Sequence, residues 1–119
     1  MALPHSLSAP ALQERLLQDE ALQLVDVREQ GELDLARLPY PVLHLPLSCA
    51  ETWLADLPQR LAPDRPVVVL CHAGVRSWQF CCWLVEHWPP AARGEVAVWN
   101  LQGGIEAWSV QVDPSVPRY

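Results

Sequence analysis

The chain has 119 residues, half of them hydrophobic and 18% charged, a size and balance that suit one globular domain with a single core. Fourteen acids face eight basic residues, all arginine, for a net charge of −6, which argues against a phosphate-backbone footprint and so against nucleic acid as a partner. No apolar run reaches the ~20 residues of a membrane span, and the first residues lack the charged and apolar regions of a secretory signal, so a soluble, cytoplasmic protein with no membrane partner is expected.

In chain order, Ser8 is placed to cap a first helix with Pro10 in its first turn. Leu12, Leu16, Leu17 and Ala21 form its apolar face, and it ends near Asp19. The short apolar run from Leu22 to Val27 reads as a buried strand, and Glu29 to Ala36 as a short helix. Tyr40 to Ser48 reads as an extended strand, with Pro41 and Pro46 fixing its ends. Ser48 then offers a cap for a helix carrying Trp53, Leu54, Leu57 and Leu61, which Pro58 should break or kink.

After a turn at residues 62–66, Val67 to Leu70 has no polar alternation and is expected to be a central strand buried on both faces. Ser77 is read as the cap of a helix whose Phe80, Cys81, Leu84 and Val85 recur at helical spacing, until His87, Trp88 and two prolines stop it. A strand at residues 96–99, a turn through Asn100 to Gly104 and a short helix from Ile105 to Trp108 complete the chain. Strands alternating with helices imply an α/β fold, a mainly parallel sheet with helices on both faces, in one domain over residues 1–119. In such sheets ligands bind beyond the carboxyl ends of the strands, and Cys71 stands at that end of the most apolar strand.

Cys71 therefore becomes the candidate nucleophile. The turn that follows wraps backbone N–H groups around it and the next helix points its positive end the same way, so the thiol should ionise more readily than a free cysteine. Gly74 permits the turn, and Arg76 supplies a permanent forked donor for an oxyanion approaching the sulfur. Phosphatases, arsenate reductases and sulfurtransferases all use such chemistry. Only four residues separate Cys71 from Arg76, one fewer than in the cysteine-dependent phosphatase pattern, and the smaller cradle suits one sulfur atom better than a phosphoryl group.

Three segments then carry a resemblance: Val25-Asp26-Val27-Arg28-Glu29, the loop from Cys71 to Ser77, and Leu101-Gln102-Gly103-Gly104-Ile105-Glu106-Ala107-Trp108. In order and spacing they resemble the single-domain rhodaneses, a sulfurtransferase family. The resemblance implies a rhodanese-like fold and transfer of a sulfane sulfur from thiosulfate or a persulfide to cyanide, a thiol or a protein cysteine, through a persulfide on Cys71. It implies no metal or organic cofactor. The partners it implies are a small anionic sulfur donor and a protein thiol or persulfide. Arg76, with the loop residues His72, Ala73, Gly74, Val75 and Ser77, would bind the substrate, the amides of residues 72–76 stabilising the persulfide. The chain departs from the family at Ala36-Arg37-Leu38-Pro39-Tyr40-Pro41, where a turn bordering the active-site face loses two glycines and a histidine.

Simpler readings apply elsewhere. Asp26 and Arg28 read as structural, with Arg28 and Glu32 at the spacing of a helical ion pair. Arg76 has the alternative of pairing with a nearby acid. His72 reads as a pocket-rim residue, Cys81 and Cys82 as core, and Trp78 as the tryptophan placed to line the pocket mouth. A non-catalytic rhodanese-like binding module and a cysteine-dependent phosphatase or arsenate reductase are the alternative functions.

Overall fold

The computed structural model describes residues 3–18, 21–88 and 97–119. Strand β1 (His5–Leu7) leads into helix α1 (Ala9–Leu17), followed by β2 (Gln23–Asp26), α2 (Gln30–Leu35) and β3 (Leu43–His44). A run of single turns comes next: 3-10 turns at Leu47–Cys49 and Leu54–Asp56 alternate with α3 (Ala50–Trp53) and α4 (Leu57–Arg60). Strand β4 (Val67–Leu70), α5 (Val75–His87), β5 (Val98–Leu101) and α6 (Gly104–Gln111) follow, completing the order among the described residues. The five strands form one parallel sheet in the order β1-β5-β4-β2-β3.

β4 lies inside this sheet, between β2 and β5, with all four residues buried. Val67 and Val69 face a core built with Phe80, Cys81 and Leu84 of α5 and with Trp53 and Leu57. Val68 and Leu70 face the opposite core, with Leu12 of α1 and Ile105 and Trp108 of α6. Two apolar layers, one on each face, explain why this strand shows no alternation in sequence.

α1 starts as expected: Ser8 Oγ accepts from the Ala11 N–H at 3.2 Å, and a proline sits in the first turn, where its missing N–H costs no helical bond. Leu17, expected on the apolar face, is 72% exposed. Five residues beyond the buried Leu12, it falls on the far side of a helix with 3.6 residues per turn. Asp19 lies outside the described residues.

Other elements differ from the sequence expectation. The expected long strand at Tyr40–Ser48 shrinks to Leu43–His44, paired with β2 alone at the sheet edge. The helix expected after Ser48 is four separate turns. Pro58 opens the last of them near its N-terminus instead of breaking a continuous helix, because a first-turn proline forfeits no bond. Ser48 caps nothing; its hydroxyl bonds to Glu29. β1 was not anticipated: it is three residues long, too short for a periodic signal. β5 runs two residues later than expected, at Val98–Leu101, so Asn100 and Leu101 belong to the sheet and not to a turn. Val96, the first residue of the expected strand, lies outside the described residues. Among the described residues no helix is long and apolar enough to cross a membrane.

Candidate active site

Cys71 follows β4 at the carboxyl end of the sheet and is 1% exposed. Its Sγ receives hydrogen bonds from the Gly74 N–H at 3.1 Å, the Ser77 N–H at 3.4 Å and the Ser77 hydroxyl at 3.2 Å. Burial opposes ionisation of this thiol. The Ser77 hydroxyl and the amides of Ser77, Gly74 and Ala73 together outweigh that cost and hold its pKa below the ordinary value.

The loop is shaped by backbone geometry. Gly74 adopts φ +95° and immediately precedes α5, so the helix begins at Val75. Ser77, expected to cap α5, therefore lies inside its first turn. From there both its hydroxyl and its amide turn back to the sulfur, the direction in which the free N–H groups of a helix start must point.

Asn100 of β5 locks this arrangement. Its Nδ2 donates to the Gly74 carbonyl at 3.1 Å, and its Oδ1 accepts from the Ser77 hydroxyl at 2.5 Å. The serine has one hydroxyl proton and two acceptors, Asn100 Oδ1 and Cys71 Sγ, so the hydroxyl couples the charge on the sulfur to the asparagine. The second anchor is the start of α6. The Ile105 and Glu106 N–H groups donate to the carbonyls of Cys71 and His72 at 2.9 and 3.0 Å, so the glycine-glycine segment of Leu101–Trp108 clamps the cysteine loop.

The expected contributors from residues 72–76 divide. Gly74 and Ala73 turn amides to the sulfur, whereas among the described hydrogen bonds none to the sulfur comes from His72, Val75 or Arg76. Val75 is 64% exposed. His72 stacks on Tyr119, with ring centroids 4.1 Å apart, and its Nε2 lies 3.8 Å from Glu106 Oε2. Arg76 makes a two-point pair with Glu32, both contacts at 2.8 Å. The arginine pair holds the Glu32 carboxyl down to about 2, against burial.

The Glu32 carboxylate is thus not paired with Arg28, as the four-residue spacing had suggested; of Glu32, Arg28 Nη1 reaches only the backbone carbonyl, to which it donates at 3.3 Å. Arg28 is fully buried and takes Asp26 instead, through Nη2 at 2.8 Å and Nε at 3.0 and 3.1 Å. It also donates to Ala36 O at 2.8 Å and to the Tyr119 hydroxyl at 3.0 Å. Tyr119 in turn donates to Glu32 at 3.0 Å. Sequence reasoning missed Asn100, Tyr119 and the true partner of Glu32. A polar residue following an apolar strand signal was the one local hint, at Asn100. Cys81 is buried and its thiol is pushed up by burial, as fits a core cysteine; Cys49 is exposed and Cys82 half-buried. Trp78 is half-buried.

Residues 8–111 match the model of the rhodanese-like domain. The chain belongs to this family. It is 41% identical over 109 residues to the rhodanese-like/PpiC domain-containing protein 12, chloroplastic, of Arabidopsis thaliana; the match takes in 91% of this chain but only 33% of the plant protein. It is 32% identical to a sulfurtransferase of Allochromatium vinosum, over 88% of each chain. In fold, this rhodanese-like domain resembles Saccharomyces cerevisiae Ygr203w, described as a homolog of single-domain rhodanese and the Cdc25 phosphatase catalytic domain. That likeness has a TM-score of 0.77 and 20% identity, and covers 94% of this chain and 85% of the yeast chain.

Proposed function

We propose that this rhodanese-like domain, taken as one unit over residues 1–119, is a sulfurtransferase that carries sulfane sulfur on Cys71. The observation that carries the reading is the hydrogen-bonded sulfur itself: three donors converge on Cys71 Sγ at the carboxyl end of the central strand. The likeness to a bacterial sulfurtransferase over most of both chains supports it.

In the first half-reaction the Cys71 thiolate attacks the outer sulfur of thiosulfate or of a persulfide. A new S–S bond forms on Cys71, the donor's S–S bond breaks, and sulfite or a thiolate leaves with the electron pair. In the second, an acceptor such as cyanide, a thiol or a protein cysteine attacks the outer sulfur and the Cys71 thiolate departs. The donors that lower the thiol's pKa also make it a good leaving group, so one set of bonds serves both steps. Gly74, Ala73 and Ser77 form the cradle, His72 and Val75 its rim, and Arg76 orients the donor through N–H groups that Glu32 leaves open. A cytoplasmic location, a small sulfur donor and a protein thiol or persulfide partner belong to the same proposal.

The test is intact mass before and after incubation with thiosulfate or inorganic polysulfide, on the wild type and Cys71→Ser. The expected result is a gain of one sulfur atom, removed by cyanide and absent from the variant. Failure to gain sulfur from any donor, with Cys71 still open to alkylation, would replace this reading by thiol-redox or phosphatase chemistry. Failure of both would leave a binding module.

A further inference from the structure

Among the described residues, the arginines around the cysteine loop are already paired with carboxylates. Arg76 gives Nη1 to Glu32 Oε2 and Nη2 to Glu32 Oε1, both at 2.8 Å. Glu32 is itself held in place from two other sides, by the Glu29 N–H at 3.0 Å and the Tyr119 hydroxyl at 3.0 Å. Arg28 is consumed by Asp26, and Arg118 donates to Glu106 at 2.6 Å beside His72. Each of these three guanidinium groups therefore faces a carboxylate, within a chain of net charge −6.

We propose that Glu32 sets donor selectivity: by neutralising Arg76 it disfavours the thiosulfate dianion and leaves the site to take sulfur from a persulfide on a weakly charged thiol carrier. This inference rests on the sulfurtransferase reading. Attack on thiosulfate brings the thiolate and two further negative charges together beside Glu32, and sulfite leaves with two. Attack on a neutral persulfide, R–S–SH, forms the S–S bond between Cys71 and the outer sulfur and breaks the donor's own S–S bond. It releases R–S⁻ while the proton stays on the transferred sulfur, so the total charge is −1 throughout. Only the first case needs a net cation at the rim, and Glu32 cancels it.

Glu32 is a positioning residue, since it acts through Arg76. Glu32→Gln removes its charge and keeps an oxygen acceptor for the Glu29 N–H, so the start of α2 retains its cap. The experiment measures single-turnover loading of Cys71, by quenched intact mass, with thiosulfate and with the persulfide of N-acetylcysteamine, whose carrier bears no charge. The expected result is that Glu32→Gln raises the thiosulfate-to-persulfide ratio of loading rates by about tenfold. A ratio that stays level or falls overturns the inference.

The wild type provides a second measurement that does not depend on the variant folding. With its rim charge cancelled, loading from thiosulfate should hold level or rise as ionic strength increases, because salt screens repulsion. A steep fall would reveal an uncompensated cation and overturn the inference while leaving sulfur transfer intact. Wild-type protein that loads from neither donor would overturn the sulfurtransferase reading itself.

Discussion

Gly104→Ala tests whether the start of α6 holds the cysteine loop in place. Gly104 has φ +63°, and a Cβ there would stand 2.5 Å from the Cys71 carbonyl oxygen and closer still to that of His72. Both contacts are backbone atoms, so no side-chain rotation relieves them. An alanine in this left-handed conformation costs about 1 kcal/mol. Moving α6 away weakens the bonds from Ile105 and Glu106 to those two carbonyls, each contributing about 1 kcal/mol. The expected loss is about 3 kcal/mol, a large share of the roughly 5–15 kcal/mol that stabilises a domain. Urea unfolding measures it, and alkylation of Cys71 under native conditions reports the displaced loop. Gly31→Ala is the internal control: nothing lies within 4 Å of its added Cβ, and in a helix it should stabilise by roughly 0.5–1 kcal/mol. A Gly104→Ala protein within about 1 kcal/mol of the wild type, with unchanged Cys71 reactivity, would refute the clamp.

Three further outcomes are expected. Ser77→Ala removes the hydroxyl that helps hold the Cys71 thiol below its ordinary pKa. The titration of reactivity should therefore move to higher pH, and alkylation at pH 7 should slow by about three- to tenfold; an unmoved profile would assign the effect to the amides alone. Asp26→Asn leaves the guanidinium of Arg28 buried without its countercharge, and urea unfolding should show a loss of about 3–5 kcal/mol. Acid should release the Glu32–Arg76 pair. Because the folded state lowers the Glu32 carboxyl from 4.5 to about 2, the stabilisation is complete above the unfolded value and fades as pH falls through that window. With the Arg76 side chain 37% exposed, solvent screening reduces it to about 1–2 kcal/mol, and Glu32→Gln should flatten the stability curve between those pH values.

The elements read correctly from sequence are those with local causes. Val67–Leu70 declares itself by an unbroken apolar run, α1 by Ser8 and Pro10, and the end of α5 by His87 and the two prolines after Trp88. Where the local signal was ambiguous the reading failed: Ser48 and Ser77 both look like caps, yet neither serves as one. A serine before a helical pattern offers an oxygen, and only the packed chain decides which donor or acceptor it meets.

Sequence by itself determined that a cysteine would end a buried parallel strand, with a short glycine-bearing loop and a helix start behind it. Those features depend on residue type and spacing over a few positions. The tertiary structure alone decided which distant side chains reach that cysteine's loop and its charged rim. Ser77 meets Asn100 across 23 positions of sequence, Arg76 meets Glu32 across 44, and Tyr119 reaches Glu32 across 87. A parallel sheet brings the carboxyl ends of distant strands to one edge, so the groups that set the charge at this site are neighbours in space with no periodic or local signature along the chain.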